Sequence, residues 1–343
     1  MRMLQNTLYV LRPKAYLSLE GENILVQEEG EAIGRFPLHN LEGVVAFGYT
    51  GASPALMGAC GQRQIALTFL SMHGRFLARV VGERQGNVLL RKTQYRSSDS
   101  EVASLDMAKG FLLGKLYNSR WVLQRARRDY ALRLDDDRLS AAADAQSRAL
   151  DRVREATSLE EARGVEGEAA TAYFAVLDDL ILQQKQAFCF RGRTRRPPMD
   201  PVNALLSFAY TLLAHEAAAA LETVGLDPYV GFLHRDRPGR ASLALDLMEE
   251  FRAIMADRFV LTLINTRQVT PKDFTRRENG AVLLGDDARK TVLAAWQRRK
   301  QEVVTHPFLG EKLEWGLLPY VQALLMARYL RGDLDAYPPL MWK

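Results

Sequence analysis

The sequence predicts an α+β multidomain protein: a small N-terminal β-sandwich-like domain over residues 1–97, then a larger all-α domain over residues 101–343. Three observations carry this. The first 97 residues fall into short β-branched or alternating runs separated by Gly, Pro, Asn and Ser. Beyond Ser97-Ser98-Asp99-Ser100 the apolar residues move to helical spacing, as in Leu105, Ala108, Leu112, Leu116 and Trp121. A chain of 343 residues also has room for about two domains.

The predicted strands are TLYVL, AYLSLE, ENILVQE, GVVAFG, ALTFL and RFLARVVG. One helix interrupts them at 53–63, because Ser53 can cap it and Pro54 has the fixed φ suited to a first helical position. From Glu101 onward Ala- and Leu-rich amphipathic segments follow one another. Breaks fall at Gly164, 191–200, 225–228, Pro238-Gly239, Gly280, Gly285 and Pro307. GVEGEAATAYF begins a helix at Gly164, and Asp200-Pro201 caps and opens another. The segment LALDLMEEFRAIM buries a stripe of Ala244, Leu247, Met248, Phe251 and Met255. No internal repeat is visible.

Composition narrows the class. Hydrophobic residues at 48% and charged residues at 25% are those of an ordinary globular protein, which argues against a disordered or fibrous chain. Cys60 and Cys189 lie far apart without metal spacing and read as reduced, buried thiols. The opening MRMLQNTLYVLRPKAY has too short an apolar run for a signal peptide. The most apolar stretch, 204–221, is interrupted by Tyr210, His215 and Glu216 and reads as a core helix. A cytoplasmic protein without a membrane partner is expected.

The formal charge of +5 is a mild bias, but the basic residues cluster. Arg191, Arg193, Arg195 and Arg196 precede Pro197-Pro198. Arg298, Arg299 and Lys300 form a second group, Arg120, Arg125, Arg127 and Arg128 a third, and Arg237 and Arg240 flank Gly239. Any one cluster is ordinarily a solvated face. Several beside a metal-type site point to a phosphate-backbone partner.

The candidate chemistry centres on LDPYVGFLHRDRPGRASLALDLMEEF. His234 ends an apolar run, and the following helix carries Asp246, Glu249 and Glu250, with carboxylates three and four residues apart on one face. A histidine with two or three carboxylates suits Mg²⁺ or Mn²⁺. A hydrogen-bonded loop histidine beside an exposed acidic turn fits the same residues. Glu166, between Gly164 and Gly167, is either a ligand or a dipole-stabilised residue of a helix start. Asn203, Ser207 and Tyr210 make one polar stripe on an apolar helix, serving either helix packing or a polar active-site wall.

GVEG around Glu166, DPVNALLSFAY around Asn203 and GLDPYVGFLH…SLALDLMEEFR around His234 occur in an order and at a spacing that resemble the CRISPR adaptation integrase, CRISPR-associated protein one. The wording of the last two looks like type I systems, subtype I-C among them. The resemblance implies that Glu166, His234 and Glu249 hold a divalent cation, with Asp246 as an accessory carboxylate. Many members have Asp where this chain has Glu249, so Glu250 competes for that role. It further implies a homodimer through the N-terminal domain, which also docks a small ferredoxin-like partner, CRISPR-associated protein two, in a heterohexamer. A prespacer-processing nuclease can join such complexes. The implied reaction is attack of a prespacer 3′-hydroxyl on a leader–repeat phosphodiester. A nuclease that cuts branched DNA or RNA without joining, and a non-catalytic nucleic-acid-binding protein, are the rival readings.

Overall fold

The computed structural model describes residues 6–72, 76–82 and 88–343. The chain divides into two compact units, the first comprising Met1–Gly86 with Asp286–Glu302 and the second Asn87–Gly285 with Val303–Lys343.

In the first unit, strands β1 (Asn6–Val10), β5 (Leu41–Phe47), β6 (Ala66–Leu70) and β7 (Phe76–Val80) form one sheet in that order. β1 and β6 both run parallel to β5, and β7 is antiparallel to β6. A second, antiparallel sheet joins β2 (Tyr16–Glu20), β3 (Asn23–Glu28) and β4 (Glu31–Pro37). Helix α1 (Pro54–Gln62) supplies the crossover that a parallel β5–β6 pair requires. It is capped as predicted, with Ser53 Oγ accepting from the Leu56 amide at 3.2 Å. One apolar core draws Val10, Val44 and Leu67 from the first sheet, Leu17, Ile24 and Val26 from the second, and Leu56 and Cys60 from α1. Cys60 is buried as expected, whereas Cys189 is exposed. Strand β4 has no strand signature in the sequence, because most of its side chains are exposed and no apolar alternation marks it. Arg75, which heads the predicted RFLARVVG strand, lies outside the described residues.

Helix α9 (Asp286–Gln301) belongs to this first unit although it follows the helical segments in sequence. Its Trp296 is fully buried, Gln297 donates to the Thr7 carbonyl at 2.8 Å, and buried Lys300 pairs with Glu42 at 3.1 Å. Lys300 is thereby committed to a carboxylate of β5 and unavailable as a member of a basic cluster.

The second unit is mostly helical. It contains α2 (Val88–Asp99), α3 (Glu101–Asp129), α4 (Asp136–Glu155), α5 (Leu159–Ala175), α6 (Pro201–Val224), α7 (Ser242–Met248), α8 (Arg258–Asn265) and α10 (Leu318–Leu330). α7 and α8 are joined through a π-helical turn at Arg252–Asp257. Three local expectations need correction. Residues 88–99 are helical, because Leu90 and Gln94 bury one face at i,i+4 in an otherwise polar run. Two small hairpins interrupt the helices: β8 (Phe274–Arg276) with β9 (Val282–Leu284), and β10 (Val303–Thr305) with β11 (Lys312–Glu314). α5 begins five residues before Gly164, because Ser158 Oγ accepts from the Glu161 amide at 3.2 Å, so GVEG occupies the helix interior.

α6 starts as expected, with Asp200 accepting from the Asn203 amide at 2.8 Å and Pro201 in the first turn. It ends at Gly225, whose φ of 89° is the left-handed conformation that glycine adopts without penalty. Among the described residues, this helix is the one long and apolar enough to cross a membrane, but 67% of its apolar window is buried inside the protein.

Candidate metal centre

Three elements of the second unit bring the candidate ligands together. Helix α3 runs through the unit and contributes Lys115, α5 contributes Glu166, and the residue after α7 is Glu249. The Lys115 ammonium is hydrogen-bonded to Glu166 Oε1 and lies 2.7 Å from Glu249 Oε2. Two carboxylates more than eighty residues apart in sequence therefore share one cation. Glu166 keeps 27% of its side chain exposed, whereas Glu249 keeps 4%, so one carboxylate is at the rim and the other at the floor.

Gly164 and Gly167 bracket Glu166, and a Cβ at either would meet no atom within 4 Å. Interior helical glycines each cost about 1 kcal/mol relative to alanine. Neither is required by packing inside the chain, and together they leave the backbone around Glu166 bare.

His234 is set by Asp246, the third carboxylate of the acidic face. Asp246 is fully buried and accepts from the backbone amides of Phe232, Leu233 and His234 at 2.7–2.9 Å. Its Oδ1 also lies 2.6 Å from His234 Nδ1. The chain can wrap this closely only because residue 231 is glycine, where a Cβ would fall 2.9 Å from Asp246 Oδ2. With Nδ1 engaged by a carboxylate, the imidazole offers the lone pair of Nε2, the arrangement usual for a metal-binding histidine. Arg163, one turn before Glu166 on α5, donates from Nε to the Leu233 carbonyl at 2.8 Å and ties α5 to the histidine loop.

The floor carboxylate is held from beneath. Arg252 donates to Glu249 Oε1 at 2.7 Å and stacks over the Tyr210 ring at 4.4 Å. Burial alone would push the Glu249 carboxyl up. Arg252 and Lys115 outweigh it and hold the group at about 2. Tyr210 in turn donates to buried Asp257 at 2.5 Å, and Tyr173 donates to the other Asp257 oxygen at 3.1 Å. Burial raises the Asp257 carboxyl above its ordinary value despite these donors.

Glu250 faces elsewhere. It accepts from Tyr337 Oη at 2.5 Å, Gln322 Nε2 at 2.8 Å and the Leu340 amide at 2.7 Å. Among the described residues no cation pairs with it, and burial pushes its carboxyl up to about 8. Of the two adjacent glutamates, only Glu249 meets Glu166 across a shared cation.

The polar stripe of α6 serves as support. Asn203 and Ser207 both accept from Arg193, at 2.6 and 3.1 Å, and Arg193 lies over the Tyr210 ring at 5.2 Å. Arg193 was grouped above with the phosphate-binding arginines, and this is corrected: its guanidinium turns inward to these acceptors and the Thr194 carbonyl. Arg191, Arg195 and Arg196 on the same loop are exposed, as is Arg237, whereas Arg240 is half-buried with Nε directed to Ser242 Oγ at 3.3 Å. Arg298 and Arg299 lie on α9 in the other unit, and Arg299 pairs with Glu302.

Among the described residues, no group of three or more His, Cys, Asp or Glu side chains is arranged to hold a metal. The donor set nevertheless suits one. Two carboxylates converge on a position held by a cation, buried Glu249 Oε2 has that ammonium beside it but no well-directed hydrogen bond, and Asp246 orients an imidazole on a loop that Arg163 ties to the Glu166 helix. The sequence had pointed to Glu166, His234 and Glu249 but not to Lys115, Arg252 or Asp257. Lys115 carried a usable signal, since it sits beside Leu112 and Leu116 in the apolar face of α3.

The family model for CRISPR associated protein Cas1 matches residues 8–298. The chain belongs to the Cas1 family. It is 51% identical to CRISPR-associated endonuclease Cas1 1 of Chlorobaculum tepidum over 98% of both chains. It is 53% identical to CRISPR-associated endonuclease Cas1 2 of Rhodospirillum rubrum over the full length of both. Among solved structures, a casposase bound to integration product has the same fold, with a TM-score of 0.83, 22% identity and coverage of 99% of this chain and 95% of the other.

Proposed function

We propose that this Cas1-family protein is a metal-dependent DNA integrase and endonuclease that joins a prespacer 3′-hydroxyl to a leader–repeat phosphodiester. The observation that carries the reading is the convergence of Glu166 and Glu249 on one cation, with an imidazole oriented by Asp246 on a loop tied to the Glu166 helix.

Glu166, His234 Nε2 and Glu249 would hold Mg²⁺ or Mn²⁺, with oxygen donors favouring hard cations and the imidazole favouring manganese. Such a cation supplies Lewis-acid stabilisation of charge on the phosphate and lowers the pKa of the attacking hydroxyl. Asp246 fixes the imidazole tautomer and orientation. Arg252 holds Oε1 of Glu249 and so leaves Oε2 directed to the site. The bare backbone at Gly164 and Gly167 gives a duplex room beside Glu166. Exposed Arg191, Arg195, Arg196 and Arg237 would contact phosphates without reading sequence.

The family supports a homodimer and a small ferredoxin-like Cas2 partner, both through the strand-rich unit, in a cytoplasmic complex of a type I system, subtype I-C by the wording of its motifs. The test is an assay with a 3′-hydroxyl duplex and a supercoiled repeat plasmid, run with the partner protein in Mn²⁺. Strand joining by the wild type, lost in Glu166→Ala, His234→Ala and Glu249→Ala while DNA binding survives, is the expected result. Hydrolysis without joining would favour the nuclease reading, and full activity of Glu166→Ala would remove the site.

A further inference from the structure

We propose that Lys115 is a built-in competitor for the metal position, its ammonium and a divalent cation excluding one another between Glu166 and Glu249. This rests on the metal-site reading above and adds a residue to it.

The geometry is specific. The ammonium contacts one oxygen from each of the two carboxylates, and only 14% of the side chain is exposed. A divalent cation that takes the same two oxygens cannot coexist with an ammonium at hydrogen-bonding distance from both.

Charge makes the exclusion stronger. Glu166 and Glu249 bring two negative charges, and Lys115 and Arg252 bring two positive ones. Arg252 cannot leave, because it is wedged under Glu249 against the Tyr210 ring. Lys115 can, since four methylenes let its ammonium swing toward the exposed rim where Glu166 lies. A cation entering beside an unmoved Lys115 would face a strong Coulomb repulsion even at an effective dielectric of about 20. The two carboxylates are thus held converged by an internal cation, and metal binding is an exchange of cations.

The consequence is unusual for a residue beside a metal site: removing it should tighten metal binding. Lys115→Met and Lys115→Gln preserve length without charge. Isothermal titration of EDTA-stripped protein with Mn²⁺, in the absence of DNA, should give dissociation constants about tenfold or more below wild type for both variants. Glu166→Gln serves as the control for binding at this site. Unchanged or weaker Mn²⁺ binding by folded Lys115 variants would overturn the proposal. Wild-type protein whose Mn²⁺ binding does not depend on Glu166 would instead overturn the metal-site reading itself.

A second measurement needs no variant. Acylation of wild-type lysines by an N-hydroxysuccinimide ester, read by peptide mass spectrometry, should show Lys115 protected without Mn²⁺ and several-fold more reactive with it. Equal or lower Lys115 labelling in Mn²⁺, with the ion shown bound, would contradict displacement.

Discussion

Glu249 and Glu250 are neighbours in sequence and both are buried, yet their surroundings are opposite. Glu249 lies between two cations and stays ionised, whereas Glu250 has only neutral donors. Their pH linkages therefore fall in separate windows. The Glu250 carboxyl is raised to about 8 in the folded protein from an ordinary 4.5, so its contribution is complete below about 4.5 and is lost as pH rises through 8. Thermal unfolding should show wild type losing stability relative to Glu250→Gln over that range, by at most about 1.4 kcal/mol per pH unit. The Glu249 carboxyl is depressed to about 2, so its contribution is present above 4.5 and lost as pH falls through 2. Glu250→Ala should cost about 3 kcal/mol or more in denaturant unfolding, because Gln322, Tyr337 and the Leu340 amide lose a buried acceptor. It should leave Mn²⁺ affinity within a few-fold of wild type, whereas Glu249→Ala should abolish Mn²⁺ binding at this site.

Between elements, the site depends on close approach. One face of α3 presents Gly110, Gly114 and Asn118 to the C-terminal segment. A Cβ at Gly114 would meet Glu250 Cγ at 2.9 Å, and Asn118 donates to the carbonyls of Glu250 and Leu340 at 2.7 and 2.8 Å. Gly114→Ala should therefore destabilise by about 1–3 kcal/mol, measured by chemical denaturation. Asp246→Asn tests the histidine loop in the same way: Mn²⁺ affinity should fall about 10- to 100-fold as His234 loses its orienting carboxylate. The strand–helix layout was legible because periodicity records which face is buried, and Ser53 and Asp200 placed two helix starts correctly. The edge strand β4 and the helix at 88–99 were not, since an exposed or polar element carries little apolar pattern. Glu166, His234 and Glu249 were singled out through ordered motifs. Arg252 was missed because it lies in a π-helical turn whose packing no local pattern reports, and Lys115 was overlooked although it interrupts the apolar face of α3.

Across the whole molecule, the exposed arginines should set DNA affinity and the inward ones stability. Combined Arg191→Ala, Arg195→Ala and Arg196→Ala should weaken duplex binding uniformly across sequences and flatten its salt dependence by about one unit of slope per lost phosphate contact. Arg193→Ala should lower the unfolding midpoint with far less effect on that slope, since its partners are Asn203, Ser207 and Tyr210. The central claim concerns which side chains take the cation, and anomalous diffraction from crystals soaked in Mn²⁺ tests it most directly. The account predicts one manganese peak bonded to Glu166, His234 Nε2 and Glu249, with the Lys115 ammonium moved away from both carboxylates. A peak bonded to Glu250 or Asp246 in place of Glu249 would contradict it, as would manganese lying between Glu166 and Glu249 with the Lys115 ammonium still in contact with both.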